Sequence, residues 1–266
     1  EQVRTMVAEG LRRTGYDEVS LTSLSTADFS GIQEVVAAAV ADDACGQVSV
    51  SLPSLRVDAF TVGIAAELQK ARRTGLTFAP EAGTWRMRQV INKLISEEDL
   101  YAAVEAAYSQ GWRRVKLYFL TGLPTETDED TLAILEMARK CIEVGRTHQR
   151  SPTVTVSVGG FVPKPFTPFQ WFGQNTENEL RRKVGLLRDE LKRKPKIYRG
   201  VQLKWHDARA SVVEGMMSRG DRRLGRVIED VWRAGGVFQE WGEHFDIGLW
   251  ETAMATHGMT FEDLVY

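Results

Sequence analysis

Apolar positions along the chain alternate between two periods. Short runs rich in β-branched and aromatic residues predict strands at 18–22, 48–52, 76–79, 115–120, 154–158 and 201–205. Stretches with apolar residues three and four apart predict helices at 31–40, 62–71, 96–109, 130–144 and 176–191. A further helical pattern, carried by Val3, Met6, Val7 and Leu11, opens the chain. Gly15, Gly46, Gly75 and Gly111 stand where helices should stop. From 211 to 255 the pattern is helical, with a break at Arg219-Gly-Asp-Arg-Arg223.

Strands alternating with helices favour a parallel sheet, and right-handed crossovers curl it toward a barrel or a doubly wound layer. The expected division is a βα-built part over 1–206 and a helical C-terminal extension over 207–266. The chain opens inside a helical pattern at Glu1 and stops at Tyr266 just as an ordered pattern resumes. The expectation is therefore a piece of a longer polypeptide whose first strand precedes Glu1.

At 266 residues the chain is long enough for a sizeable core. A net charge of −2 offers no global attraction for nucleic acid or membrane. No apolar run reaches the length of a membrane span. Two cysteines, Cys45 and Cys141, exclude a disulfide framework and suit a reduced, cytoplasmic setting. Four scattered histidines lack metal-ligand spacing, and Walker A, GxGxxG, HExxH and GxSxG patterns are missing.

Candidate chemistry falls at strand ends, where α/β proteins bind ligands. The first end gives Ser23-Leu-Ser-Thr-Ala-Asp28, read either as a helix cap or as a hydroxyl rim for an amino or carboxylate group. After the second, Arg56 either pairs with Asp58 or holds a ligand carboxylate. After the third, Glu81 occupies a place where no turn demands glutamate and suits two ribose hydroxyls, with Lys93 as an available counter-charge. The fourth runs into Gly122-Leu-Pro-Thr-Glu-Thr127. Gly122 allows close approach of a flat ligand, Glu126 suits the positive end of a helix, and Thr127 suits its cap. The fifth gives Gly159-Gly160 and a stiff loop, Phe161-Val-Pro-Lys-Pro-Phe-Thr-Pro-Phe-Gln-Trp171, read as packing under a lid or as a ligand wall.

Taken together, Leu21 to Phe29, Phe78-Ala-Pro-Glu-Ala-Gly-Thr84 with Val90-Ile-Asn-Lys93, Gly122 to Thr127 and Phe161 to Trp171 resemble the radical S-adenosylmethionine (SAM) superfamily, in its B12-binding branch. The resemblance runs to about Trp241. It implies an α/β fold, a partial parallel (β/α)6 barrel missing its first strand. It also implies a 4Fe–4S cluster on a CxxxCxxC motif, whose unique iron is chelated by SAM, and reductive cleavage of SAM to a 5′-deoxyadenosyl radical. Carried over, Ser23, Ser25 and Thr26 would face the methionine part, Arg56 a carboxylate, Glu81 the ribose, and Gly122, Leu123 and Pro124 the adenine. The resemblance to that branch also implies cobalamin, which would bind through an N-terminal domain outside this chain.

One departure matters. The chain has no CxxxCxxC, so the expectation is the SAM-facing part of a larger enzyme, inert by itself and acting on an unknown substrate. Two other readings stay open. One is a cluster-independent barrel enzyme such as a lyase, using Lys204 or His206 with Glu81. The other is an RNA-binding module using Arg181, Arg182, Lys183, Arg188, Lys192, Arg193, Lys194 and Lys196, set against the plainer reading of a solvated helix face.

Overall fold

A computed structural model describes residues 1–22, 29, 31–32, 34–35, 37, 49–51 and 76–266. Ser23, Ser25, Thr26, Arg56 and Asp58 lie outside the described residues, as do Cys45, Gly46, Gly75 and the expected helix at 62–71. Of the expected helix at 31–40, Ile32, Glu34, Val35 and Ala37 are described and helical.

The described elements, in chain order, are α1 (Gln2–Thr14), β1 (Glu18–Ser20), β2 (Ser49–Ser51), β3 (Leu76–Glu81), α2 (Trp85–Val90), α3 (Glu97–Ser109), β4 (Arg114–Thr121) and α4 (Asp128–Arg146). They continue with β5 (Thr153–Gly160), α5 (Glu177–Arg193), β6 (Val201–Trp205), α6 (Ala208–Arg219), α7 (Leu224–Arg233), α8 (Ile247–Thr256) and α9 (Phe261–Leu264). The result is an α/β fold with parallel sheet. β1 and β2 pair in parallel, and a second sheet runs β3-β4-β5-β6. Phe78 stands opposite Leu117 in the parallel β3–β4 ladder, with an irregularity between Phe78 and Glu81. Thr153 N–H donates to Arg113 O at 2.9 Å and Phe161 N–H to Thr121 O at 2.8 Å, so β5 runs parallel to β4. Val154 N–H to Gly200 O and His206 N–H to Val158 O, both 3.0 Å, do the same for β6.

These residues form two compact units: Glu1–Phe119, Ala133–Ser157 and Lys194–Leu203 in the first, Leu120–Leu132, Val158–Arg193 and Lys204–Tyr266 in the second. In the first, Phe78, Val115, Leu117, Leu100, Val104, Ile134, Leu135 and Ala138 are fully buried. α3 begins at a capping box in which Ser96 Oγ accepts from Asp99 N–H and the Asp99 carboxylate accepts from Ser96 N–H. In the second, Val212, Met216, Val227, Val231, Trp250 and Met254 centre a helical core.

β4 has one buried face and one partly open face. Val115, Leu117, Phe119 and Thr121 are buried, while Tyr118 on the other face is 38% exposed. Lys116 Nζ donates to Tyr118 Oη at 2.6 Å across two residues. A lysine and a tyrosine two residues apart share this face and satisfy each other.

Candidate functional site

The carboxyl end of β3 places Glu81 within the first unit. Its φ is 69°, a left-handed backbone that costs a side-chain-bearing residue about 1–2 kcal/mol. Such conformations persist where the surroundings enforce them, and they gather at ligand sites. Lys93 Nζ lies 3.6 Å from Glu81 Oε1, the side chains being 34% and 28% exposed. Burial raises the Glu81 carboxyl above its ordinary value, and Lys93 opposes that rise. The pairing that sequence offered is thus present. Nearby, Arg88 is fully buried and donates to Ala82 O and Gly83 O at 3.2 and 3.3 Å, fixing the turn that follows Glu81.

Within the second unit, the loop after β4 is held by one carboxylate. Glu126 Oε2 accepts the Gly122 N–H at 2.6 Å and lies 3.0 Å from Lys183 Nζ. Both side chains are buried, 3% and 4% exposed. Burial raises the Glu126 carboxyl, against the Gly122 hydrogen bond and the Lys183 charge. Glu126 therefore ties the loop to α5, where a role at the helix dipole was expected. The helix start falls to Thr127 and Asp130: Thr127 Oγ1 accepts from Asp130 N–H at 3.3 Å, and Asp130 Oδ2 accepts from Thr127 N–H at 2.9 Å.

Gly122 has φ 82°, and a Cβ there would meet Leu180 Cδ2 at 3.0 Å and Asn175 Cγ at 3.2 Å. Backbone conformation and packing together account for glycine at this position. Leu123 is buried and Pro124 half-buried beside it.

Lys183 is the residue whose role the sequence reading missed. It was grouped with a basic run, yet Leu180, Lys183, Leu187 and Glu190 form the buried stripe of α5. That spacing of three, four and three is the signal that would have singled it out. Much of the rest of the run is engaged too: Arg181 with Glu177 at 2.6 Å, Arg182 with Asp128 at 2.7 Å, and Arg193 with Glu190.

The loop from Phe161 to Trp171 is pinned at Lys164, whose Nζ reaches Glu214 at 2.6 Å and Ser218 Oγ at 2.9 Å. Phe161 and Phe169 meet edge to face at 5.6 Å, while Phe166 is 98% exposed and Trp171 85%. Lys204 and His206, the lyase candidates, are exposed. Among the described residues no three His, Cys, Asp or Glu side chains gather as a metal site, and no helix is long and apolar enough to cross a membrane.

Comparison with known proteins bears on the reading. The Radical SAM superfamily profile matches residues 1–138, just over half of the chain. An uncharacterized protein of Methanocaldococcus jannaschii is 29% identical over 224 residues, which cover 84% of this chain and 46% of that relative. The chain spans about half the length of the curated relative it matches.

Proposed function

The chain belongs to the radical SAM superfamily, and we propose that it forms the SAM-facing part of a radical SAM enzyme, its sheet being a portion of a (β/α)6 barrel. Membership indicates SAM-dependent radical chemistry, for which the family uses SAM and a 4Fe–4S cluster.

The cluster does not fit the residues of this chain. Two cysteines cannot supply the three thiolates of a CxxxCxxC motif. Cys141, moreover, is fully buried on α4 with its thiol pushed up by desolvation. In this reading the cluster-holding cysteines lie outside residues 1–266. Nor is any residue here assigned to cobalamin.

SAM itself suits what the chain offers. Glu81 accepts the ribose hydroxyls, and Lys93 favours the ionised carboxylate that does so. The family resemblance assigns the Gly122–Leu123–Pro124 segment to the adenine, and within the second unit that segment is held by Glu126 and Lys183. The family resemblance alone assigns Ser23, Ser25, Thr26 and Arg56, outside the described residues, to the methionine end. The observation that carries the reading is Glu81, a carboxylate held in a left-handed backbone at the carboxyl end of a parallel strand.

The test is SAM binding by the full-length protein, reconstituted with iron and sulfide, beside its Glu81→Gln variant. Loss of a charge-assisted hydrogen bond predicts affinity lower by about ten- to a hundredfold. Unchanged affinity would remove Glu81 from the ribose. Failure of the full-length protein to convert SAM into 5′-deoxyadenosine under reduction would remove the radical reading itself.

A further inference from the structure

A cleft of about 450 Å³ lies within the second unit, between the carboxyl ends of β5 and β6 and one face of α5. Its walls include Gly160, Arg181, Gly185, Arg188, Trp205 and His206. That volume is in the range of small-molecule sites.

Arg181 and Arg188 are two helical turns apart, which returns them to one face of α5 about 10.5 Å apart along its axis. Each side chain is 54% exposed. Arg181 shares Glu177 at 2.6 Å, and Arg188 stands 3.9 Å from Asp189. Such exposed pairs contribute little and exchange readily for a bidentate anion. Arg209, also at the cleft, is gripped by the Asp207 carboxylate through both Nε and Nη2 at 2.6–3.2 Å, a firmer pairing than the single contact of Arg181.

Between the two arginines lies Gly185, in mid-helix, where glycine is disfavoured. A Cβ there would meet nothing within 4 Å, so internal packing does not call for glycine. The wall between the two cations is left flat. Trp205, 48% exposed at the end of β6, presents an aromatic ring to the same cleft. Two half-exposed guanidinium groups, one paired at the surface with Glu177 and one loosely with Asp189, together with a flat patch and an indole match a phosphate joined to a planar base.

We propose that this cleft binds a phosphorylated nucleoside, its phosphate on Arg181 and Arg188 and its base between Trp205 and the Gly185 surface. The ligand is either a free mononucleotide or the terminal nucleotide of an RNA chain. None of the residues proposed above for SAM lines the cleft, although Thr121, which does, directly precedes Gly122.

Calorimetric titration of the chain with AMP, adenosine, inorganic phosphate and a 5′-phosphorylated oligoribonucleotide tests this. AMP should bind saturably, with adenosine and phosphate each at least about tenfold weaker. Arg181→Glu and Arg188→Glu should each weaken AMP by about tenfold or more, while Arg226→Glu on α7 should not. Gly185→Phe should block binding without lowering the thermal midpoint. Oligonucleotide binding much tighter than AMP, with the same dependence on both arginines, would name an RNA end as the source; equal binding would name the free nucleotide. Absence of saturable binding by AMP and oligonucleotide, affinity indifferent to both charge reversals, or displacement of AMP by SAM would overturn the proposal.

Discussion

The Lys183 ammonium and the Glu126 carboxylate lie 3.0 Å apart with both side chains almost wholly buried. Removing one partner of such a pair leaves an uncompensated charge in the interior, a loss of about 3–5 kcal/mol. Lys183→Met should therefore be strongly destabilising, and Glu126→Gln/Lys183→Met much less so. Without Lys183 the Glu126 carboxyl rises further, and an acid with a raised folded-state value loses stability as pH climbs through it. The Lys183→Met deficit in urea should accordingly be larger at pH 8 than at pH 5. Equal deficits at both values would mean that Glu126 is already neutral beside Lys183.

Glu81 combines strain with a charge. Glu81→Gly relieves a φ of 69° and should stabilise the fold by about 1 kcal/mol, read from chemical denaturation. A stabilising change that also costs SAM affinity would separate a ligand-facing role from a structural one. Destabilisation by glycine would show instead that the Glu81–Lys93 contact holds the turn.

Lys93→Gln isolates the charge. Burial raises the Glu81 carboxyl and Lys93 restrains it, so removing Lys93 moves it further above 4.5. Below that value both folded and unfolded chains are protonated there, and the substitution should cost little. As pH rises through the elevated value, the variant should fall behind the parent, and the deficit should persist above it. Denaturation midpoints at pH 3.5 and pH 7 give the comparison.

How much of this was legible depends on whether the signal is periodic or conformational. β6 spans 201–205 as its apolar run indicates, and α5 at Glu177–Arg193 nearly matches the expected 176–191. α2 was missed because Trp85-Arg-Met-Arg-Gln-Val90 is too short and too polar to show a helical period. The Gly122 loop was found as a site, but its anchor was not, since Lys183 reads as one more member of a basic run until the stripe through Leu180 and Leu187 is drawn. The left-handed backbone at Glu81 and Thr125 has no sequence signature, because local preference would place Gly or Asn there.

Two glycines give opposite predictions. At Gly122 an alanine would suffer a φ of 82° and would press against Leu180, so Gly122→Ala should lower stability by about 1–2 kcal/mol or more. At Gly185 the helix is regular and the space is open, so Gly185→Ala should raise stability by about 1 kcal/mol. Thermal midpoints moving in opposite directions would confirm the contrast. Destabilisation at Gly185 would mean that the cleft wall is already in contact with protein.

The cysteines set the sharpest limit on what the chain does alone. A cluster of the family type needs three thiolates, and the chain holds Cys45 and Cys141. Cys141 is fully buried on α4, and desolvation pushes its thiol up, so the thiolate that binds iron is disfavoured there. Its native thiol should react with a disulfide reagent only on unfolding. Residues 1–266 treated anaerobically with iron and sulfide should then acquire no stoichiometric cluster, as judged by iron content and visible absorption. A chain extended to include three cysteines in CxxxCxxC spacing should acquire one under the same treatment. Stoichiometric cluster in the 266-residue chain would require ligands other than cysteine, and would overturn the division of labour on which the SAM-facing role rests.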